Sequence, residues 1–236
     1  MVDQKLSSSS ELTPSAASAP AAASSGRAVR EVLETLLLAA LIFIGVRLVV
    51  LNFRVDGESM VPNLHDQEML LVDRNAYVHF DAGVIDALLP GDQTAGGAWW
   101  YPFGPPQRGD IIVFNPPVNS NKPYIKRIVG LPGDHVTFDG GSVVVNGVPL
   151  DEPYLDQRTR CGKSEHCDVV VPAGDLFVMG DNRGNSSDSR VFGPVPIDSV
   201  IGKAWLGYWP LDAVGFVPHH DYPEVPAAPE ALPASS

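Results

Sequence analysis

The chain has 236 residues, 44% of them hydrophobic and 19% charged, with a formal net charge of −12. That length holds one ordinary domain or a core with an inserted subdomain. The acidic balance argues against a nucleic-acid partner, because phosphate binding needs clustered Lys and Arg, and against anchoring by attraction to anionic headgroups.

Residues 1–29 are rich in Ser, Ala and Pro and nearly lack large apolar groups. Such a segment cannot bury enough surface to offset chain entropy, so a disordered tail is expected. Residues 30–53 predict a transmembrane helix, since about 20 apolar residues at 1.5 Å each cover a hydrocarbon layer of ~30 Å. Glu34 and Arg47 lie near its ends, where long side chains reach the headgroups. No small-x-small cleavage site follows the run, which reads as a retained anchor rather than a removed leader; a buried core helix is the alternative. Arg27 and Arg30 precede the run while Arg47 and Arg54 lie within or after it, so the positive-inside bias does not decide orientation.

Beyond the anchor the pattern is that of strands. Met69 to Val72, Ile111 to Phe114, Tyr124 to Val129 and Asp168 to Val171 are short apolar runs bounded by Gly, Pro or Asp. Val136 to Leu150 reads as a hairpin system turning at Gly140-Gly141 and Asn146-Gly147. Residues 76–107 read as a long irregular loop, and residues 222–236, rich in Pro and Ala, as a flexible tail. The fold class expected is mainly β: an antiparallel sheet domain over residues 54–221, preceded by one N-terminal transmembrane helix.

Three segments could carry chemistry. Ser59 lies in Gly57-Glu58-Ser59-Met60-Val61-Pro62, just past the anchor. No histidine has a recognisable motif around it, and Val61 stands where a Gly-x-Ser-x-Gly elbow needs glycine. Lys126 lies in a strand next to Arg127, and neighbouring strand residues point to opposite faces, so one of the two cations must turn inward. If Lys126 does, desolvation lowers its pKa; service as a base near neutrality requires a fall of roughly 3, or about 4 kcal/mol toward the neutral amine. The third segment, Gly180 to Arg190, is dense in short hydrogen-bonding side chains but matches neither a calcium loop nor a phosphate loop. Cys161 and Cys167 can close a small loop in an oxidising compartment or remain two thiols. Their spacing does not fit a Cys-x-x-Cys metal or redox motif, and His166 between them reads as a loop residue.

Taken together, four ordered boxes resemble the bacterial type I signal peptidases, with a Gram-positive or actinobacterial character: Gly57 to Leu64, Arg108 to Phe114, Tyr124 to Asp134 and Gly180 to Arg190. The resemblance implies a membrane-anchored serine endopeptidase that cuts exported preproteins after small-x-small motifs. It implies Ser59 as nucleophile and Lys126 as general base, with Ser186 hydrogen-bonding the amine and Asp188 paired with Arg127. Phe53, Val55, Met60, Leu64 and Ile125 match positions lining the substrate pockets. A smaller β subdomain, at about 136–175 and including both cysteines, would be inserted in the catalytic core. The catalytic domain would face the extracytoplasmic side, with membrane lipid around the anchor and no metal, cofactor or nucleic acid. Gly57 stands where Gram-negative members carry a serine that supports the oxyanion, which shifts that duty to backbone N–H groups including that of Ser59. Gly184 replaces a residue that is often acidic. Two rivals remain: a self-cleaving, repressor-like Ser/Lys peptidase, which usually lacks an anchor, and a non-catalytic membrane-tethered β module.

Overall fold

The computed structural model describes residues 24–81 and 99–226. Helix α1, Ser24–Val49, holds the apolar run; Gly26–Val49 is long and apolar enough to cross a membrane, at about 36 Å for a rise of 1.5 Å per residue. Leu36, Leu37, Leu41, Ile42 and Phe43 are all exposed along it. The helix ends before the apolar pattern does. Val50–Arg54 forms strand β1 instead, so Phe53 belongs to a sheet edge and not to the anchor. Hydrophobicity alone does not separate the end of a membrane helix from a following apolar strand.

The main sheet of the β domain contains β1, β2 (Met69–Asp73), β5 (Ile111–Phe114), β6 (Tyr124–Gly130), β11 (Asp175–Met179), β12 (Val195–Pro196), β13 (Val200–Trp209) and β14 (Gly215–Phe216). The order is β1-β2-β13-β5-β6-β11-β12, with β14 on β13, and every pairing is antiparallel. β2 alternates as a half-buried strand should, with Leu70 and Val72 inward. β5 is buried at all four positions, which explains its uninterrupted Ile-Ile-Val-Phe.

A second, four-stranded sheet is formed by β7 (His135–Asp139), β8 (Ser142–Val145), β9 (Val148–Pro149) and β10 (Asp168–Val170), in the order β10-β7-β8-β9. Asn146 and Gly147 take positive φ, 53° and 80°, which is what a two-residue hairpin turn with the twist of its strands requires. Cys161 and Cys167 are joined by a disulfide in the segment leading to β10.

The main sheet packs over a core of Val55, Met60, Leu64, Leu70, Val72, Ile111, Val113 and Ile125. A second core, Val129, Val136, Val143, Val145, Phe177 and Met179 among others, joins the two sheets. Tyr222 and Val225 are buried in that second core, so the expected flexible tail does not begin at 222. The segment is held by these two side chains and by polar contacts, Arg108 donating to the Pro226 carbonyl and the Asp151 N–H to Glu224. Within the expected irregular loop, β3 (Phe80–Asp81) pairs with β4 (Trp99–Trp100), and residues 82–98 lie outside the described residues. So do 227–236 and the tail as far as residue 23.

Candidate active site

The Ser59 turn follows β1. Gly57 begins it with φ of 89°, a conformation favouring glycine, and its N–H donates to Asp66 Oδ1 at 2.7 Å. Behind Ser59 the chain coils tightly, with the N–H groups of Asn63 and Leu64 both donating to the Met60 carbonyl at 2.9 Å. Met60 and Leu64 are thereby driven into the core. The Ser59 N–H donates to no protein group among the described residues and remains free for a ligand oxygen.

The Gly180 to Arg190 segment, entered from β11, clamps this turn. The Asn182 N–H donates to the Ser59 carbonyl at 3.0 Å, and Asn182 Nδ2 to the Glu58 carbonyl at 3.0 Å. Asn63 Nδ2 donates to Asp181 Oδ2 at 2.8 Å. Gly180 makes the approach feasible: a Cβ there would collide with the Ser59 carbonyl oxygen and the Ser186 hydroxyl.

Strand β6 brings the cations. Lys126 Nζ stands 2.6 Å from Ser59 Oγ and donates to the Ile125 carbonyl at 2.8 Å. Lys126 is 3% exposed, and among the described residues no carboxylate pairs with it. Burial lowers its pKa from 10.5 to about 8, against the opposing pull of Asp188 and Asp181. A neutral amine with one N–H held by Ile125 keeps a lone pair for the Ser59 hydroxyl proton. Arg127, on the opposite face, is fully buried and bidentate to Asp181 (2.9 and 2.8 Å), with its third nitrogen on the carbonyls of Gly109 and Pro218. Its ring of partners is completed by Tyr154, whose ring lies 4.1 Å from the guanidinium carbon.

Two sequence expectations need correction. Arg127 pairs with Asp181, not Asp188; Asp188 instead binds Arg190 and caps the short helix α2, Ser189–Phe192. Both carboxylates lie in one polar segment, and only the path of the loop decides which meets Arg127. Ser186 does not bond the lysine: its hydroxyl is buried against Gly180 without a hydrogen-bond partner among the described residues, while Ile125 takes the amine's second bond. Val55, Met60 and Leu64 are buried in the core and are not among the residues lining the cavity beside Ser59, while Leu64 borders a separate cavity with Asn63 and Phe216.

That cavity, of about 220 Å³, is lined by Phe53 and Ile125 as expected positions, and by Asp56, Ser59, Pro123, Tyr124, Lys126 and Ser187. Its two sides are strand edges. β1 is the end strand of the main sheet, and β11 pairs with β6 only from Arg127 to Gly130, leaving Tyr124 to Lys126 unpaired on that side. Asp181, Asn182, Asn63 and Gly180 are site residues to which sequence reasoning gave no individual role; Asn63 lies in the Gly57 to Leu64 box and the others in the polar 180–190 segment. Among the described residues no cluster of His, Cys, Asp and Glu could hold a metal ion.

Lys126 thus lies buried against the Ser59 hydroxyl, beside two free strand edges. A family profile described as "Signal peptidase, peptidase S26" matches residues 29–209. The chain is 34% identical over 222 residues to a signal peptidase I of Leptolyngbya laminosa, covering 89% of this chain and 95% of that one. It is 34% identical over 176 residues to a signal peptidase I of Bacillus caldolyticus, covering 70% and 82%. A crystal structure of a signal peptidase I from Enterococcus faecalis V583 aligns over 42% of this chain and 97% of that one, at 38% identity and a TM-score of 0.38. The chain belongs to the signal peptidase family S26.

Proposed function

We propose that the chain works as a type I signal peptidase, a serine endopeptidase that removes signal peptides from exported preproteins, with Ser59 as nucleophile and Lys126 as general base. The observation that carries this is the 2.6 Å approach of a buried, pKa-depressed amine to the Ser59 hydroxyl. An extended preprotein segment lies between the edges of β1 and β6 and adds main-chain hydrogen bonds to them. Its side chains one and three residues before the cut point into the apolar wall around Phe53 and Ile125, which fits small residues. Lys126 takes the Ser59 proton as Oγ attacks the scissile carbonyl. The oxyanion forms against the free Ser59 N–H. Lys126 returns the proton to the leaving amine, then activates the water that hydrolyses the acyl-enzyme.

Anchoring by α1 places this chemistry at a bilayer, and the apolar helix face takes lipid as its partner. The extracytoplasmic side fits the Cys161–Cys167 disulfide, which needs an oxidising compartment. Arg127, Asp181, Asn63 and Asn182 position the two reacting groups. The test is cleavage of a preprotein with a small-x-small site by the full-length protein, alongside Ser59→Ala and Lys126→Ala. Both variants abolish processing under this reading; intact processing by either one overturns it.

A further inference from the structure

This inference rests on the peptidase reading and concerns which peptides the cleft accepts. Asp56 lines the cavity that holds Ser59 and Lys126, and Lys122 lies next in sequence to Pro123, which lines it too. Asp56 follows β1 and is the one carboxylate on the cavity wall among the described residues. Lys122 precedes Pro123, which leads into β6 and also lines the cavity. The two side chains meet as an ion pair. Both are solvated, Asp56 at 50% and Lys122 at 74% exposure, so the pair lies at the surface of the site and not on its floor.

A peptide strand lying between the edges of β1 and β6 has to pass this pair. Its side chains alternate. With the residues one and three before the cut turned into the apolar wall, the residue between them faces the mouth. An exposed ion pair contributes at most about 1 kcal/mol, so binding of a strand suffices to open it. The partners then behave differently. Lys122 sits on a flexible four-carbon stem and swings into water, whereas the short Asp56 side chain stays near the wall it lines.

We propose that Asp56 and Lys122 form a latch across the cleft, and that Asp56, once released, reads the charge of the middle residue of the small-x-small motif, favouring Lys or Arg over Asp or Glu. Asp56 is thus a specificity-determining residue and Lys122 its resting partner. The ion pair also prevents an unliganded carboxylate from facing the emptied cleft.

The test uses two peptides that differ only in Ala-Lys-Ala against Ala-Glu-Ala before the cut, assayed with the full chain in detergent. At low ionic strength the unaltered protein has a kcat/KM about threefold higher on the lysine peptide. Raising the salt toward 1 M brings the ratio to about one, because the Debye length falls to about 3 Å. Asp56→Asn brings it to about one at low salt. Exchanging the charges, Asp56→Lys with Lys122→Asp, inverts it. Lys122→Ala raises kcat/KM on both peptides about twofold and keeps the preference, since the latch is gone and Asp56 remains. A ratio that is unchanged in Asp56→Asn, or already one in the unaltered protein, overturns the inference and leaves the peptidase reading intact. Failure of the unaltered protein to cut either peptide overturns both.

Discussion

Lys126 and Arg127 are neighbours on one strand, both buried and both cationic by composition, yet they meet opposite environments. Arg127 has a bidentate carboxylate partner; burial alone would lower its pKa, but the hydrogen bond and charge of Asp181 outweigh it and hold the guanidinium ionised. Lys126 has burial without a paired carboxylate, so its pKa falls to about 8. One face of β6 therefore stabilises a charge and the other disfavours it. The first ties strand, serine turn and polar loop together. The second leaves an amine able to accept a proton. A permanently ionised guanidinium could not take the second role, and a paired lysine would not.

The sharpest way to break this contrast is to remove the reacting groups. Ser59→Ala and Lys126→Ala are expected to lower kcat/KM by about 10³-fold or more, measured on a purified preprotein, with the Arg127 network still in place. Next in size is Asp181→Asn. It leaves the buried Arg127 unpaired and should cost about 3–5 kcal/mol of stability, read from urea unfolding; a loss under about 1 kcal/mol would show that the pair does not tie the strand to the loop.

Lys126→Met should move stability the other way. The folded amine titrates near 8 and the unfolded one near 10.5, so between those values the unfolded chain holds a proton that the folded chain has released. Stability therefore rises with pH across that window, and below it the full burial penalty of roughly 3 kcal/mol applies. The inactive Met variant should be more stable than the parent at neutral pH by up to that amount, and the advantage should vanish once both lysine forms are neutral. A Met variant that unfolds more easily at neutral pH would contradict the contrast. The smallest effect is assigned to Asn182→Ala. Losing the Nδ2 bond to the Glu58 carbonyl should cost about 1 kcal/mol, with about a five- to tenfold fall in kcat as the Ser59 turn loosens.

The same contrast shows what the sequence could and could not disclose. Alternation along β6 already separates Lys126 from Arg127, and the four boxes point to the family. Partner choice was not legible: Asp181, Asp188, Arg183 and Arg190 share one short segment, and the loop path alone assigns Asp181 to Arg127, Asp188 to Arg190 and Glu152 to Arg183. Strand β13, central in the main sheet, escaped notice because Gly202 and Gly207 interrupt its apolar pattern. Gly202 is needed there since a Cβ would collide with the Asp73 carbonyl on β2. The apolar run of the anchor concealed β1 for the opposite reason, being too continuous to show where helix gives way to strand.

The proposed chemistry depends on Lys126 giving up its proton more readily than an ordinary lysine, because burial outweighs the pull of Asp188 and Asp181. The most direct measurement is the pH dependence of kcat/KM on a signal-sequence peptide between about pH 6 and 10. A rise to a plateau is expected, with its midpoint near 8, the value burial gives Lys126. A profile that is flat across that range, or that rises only near the ordinary lysine value of 10.5, would contradict it.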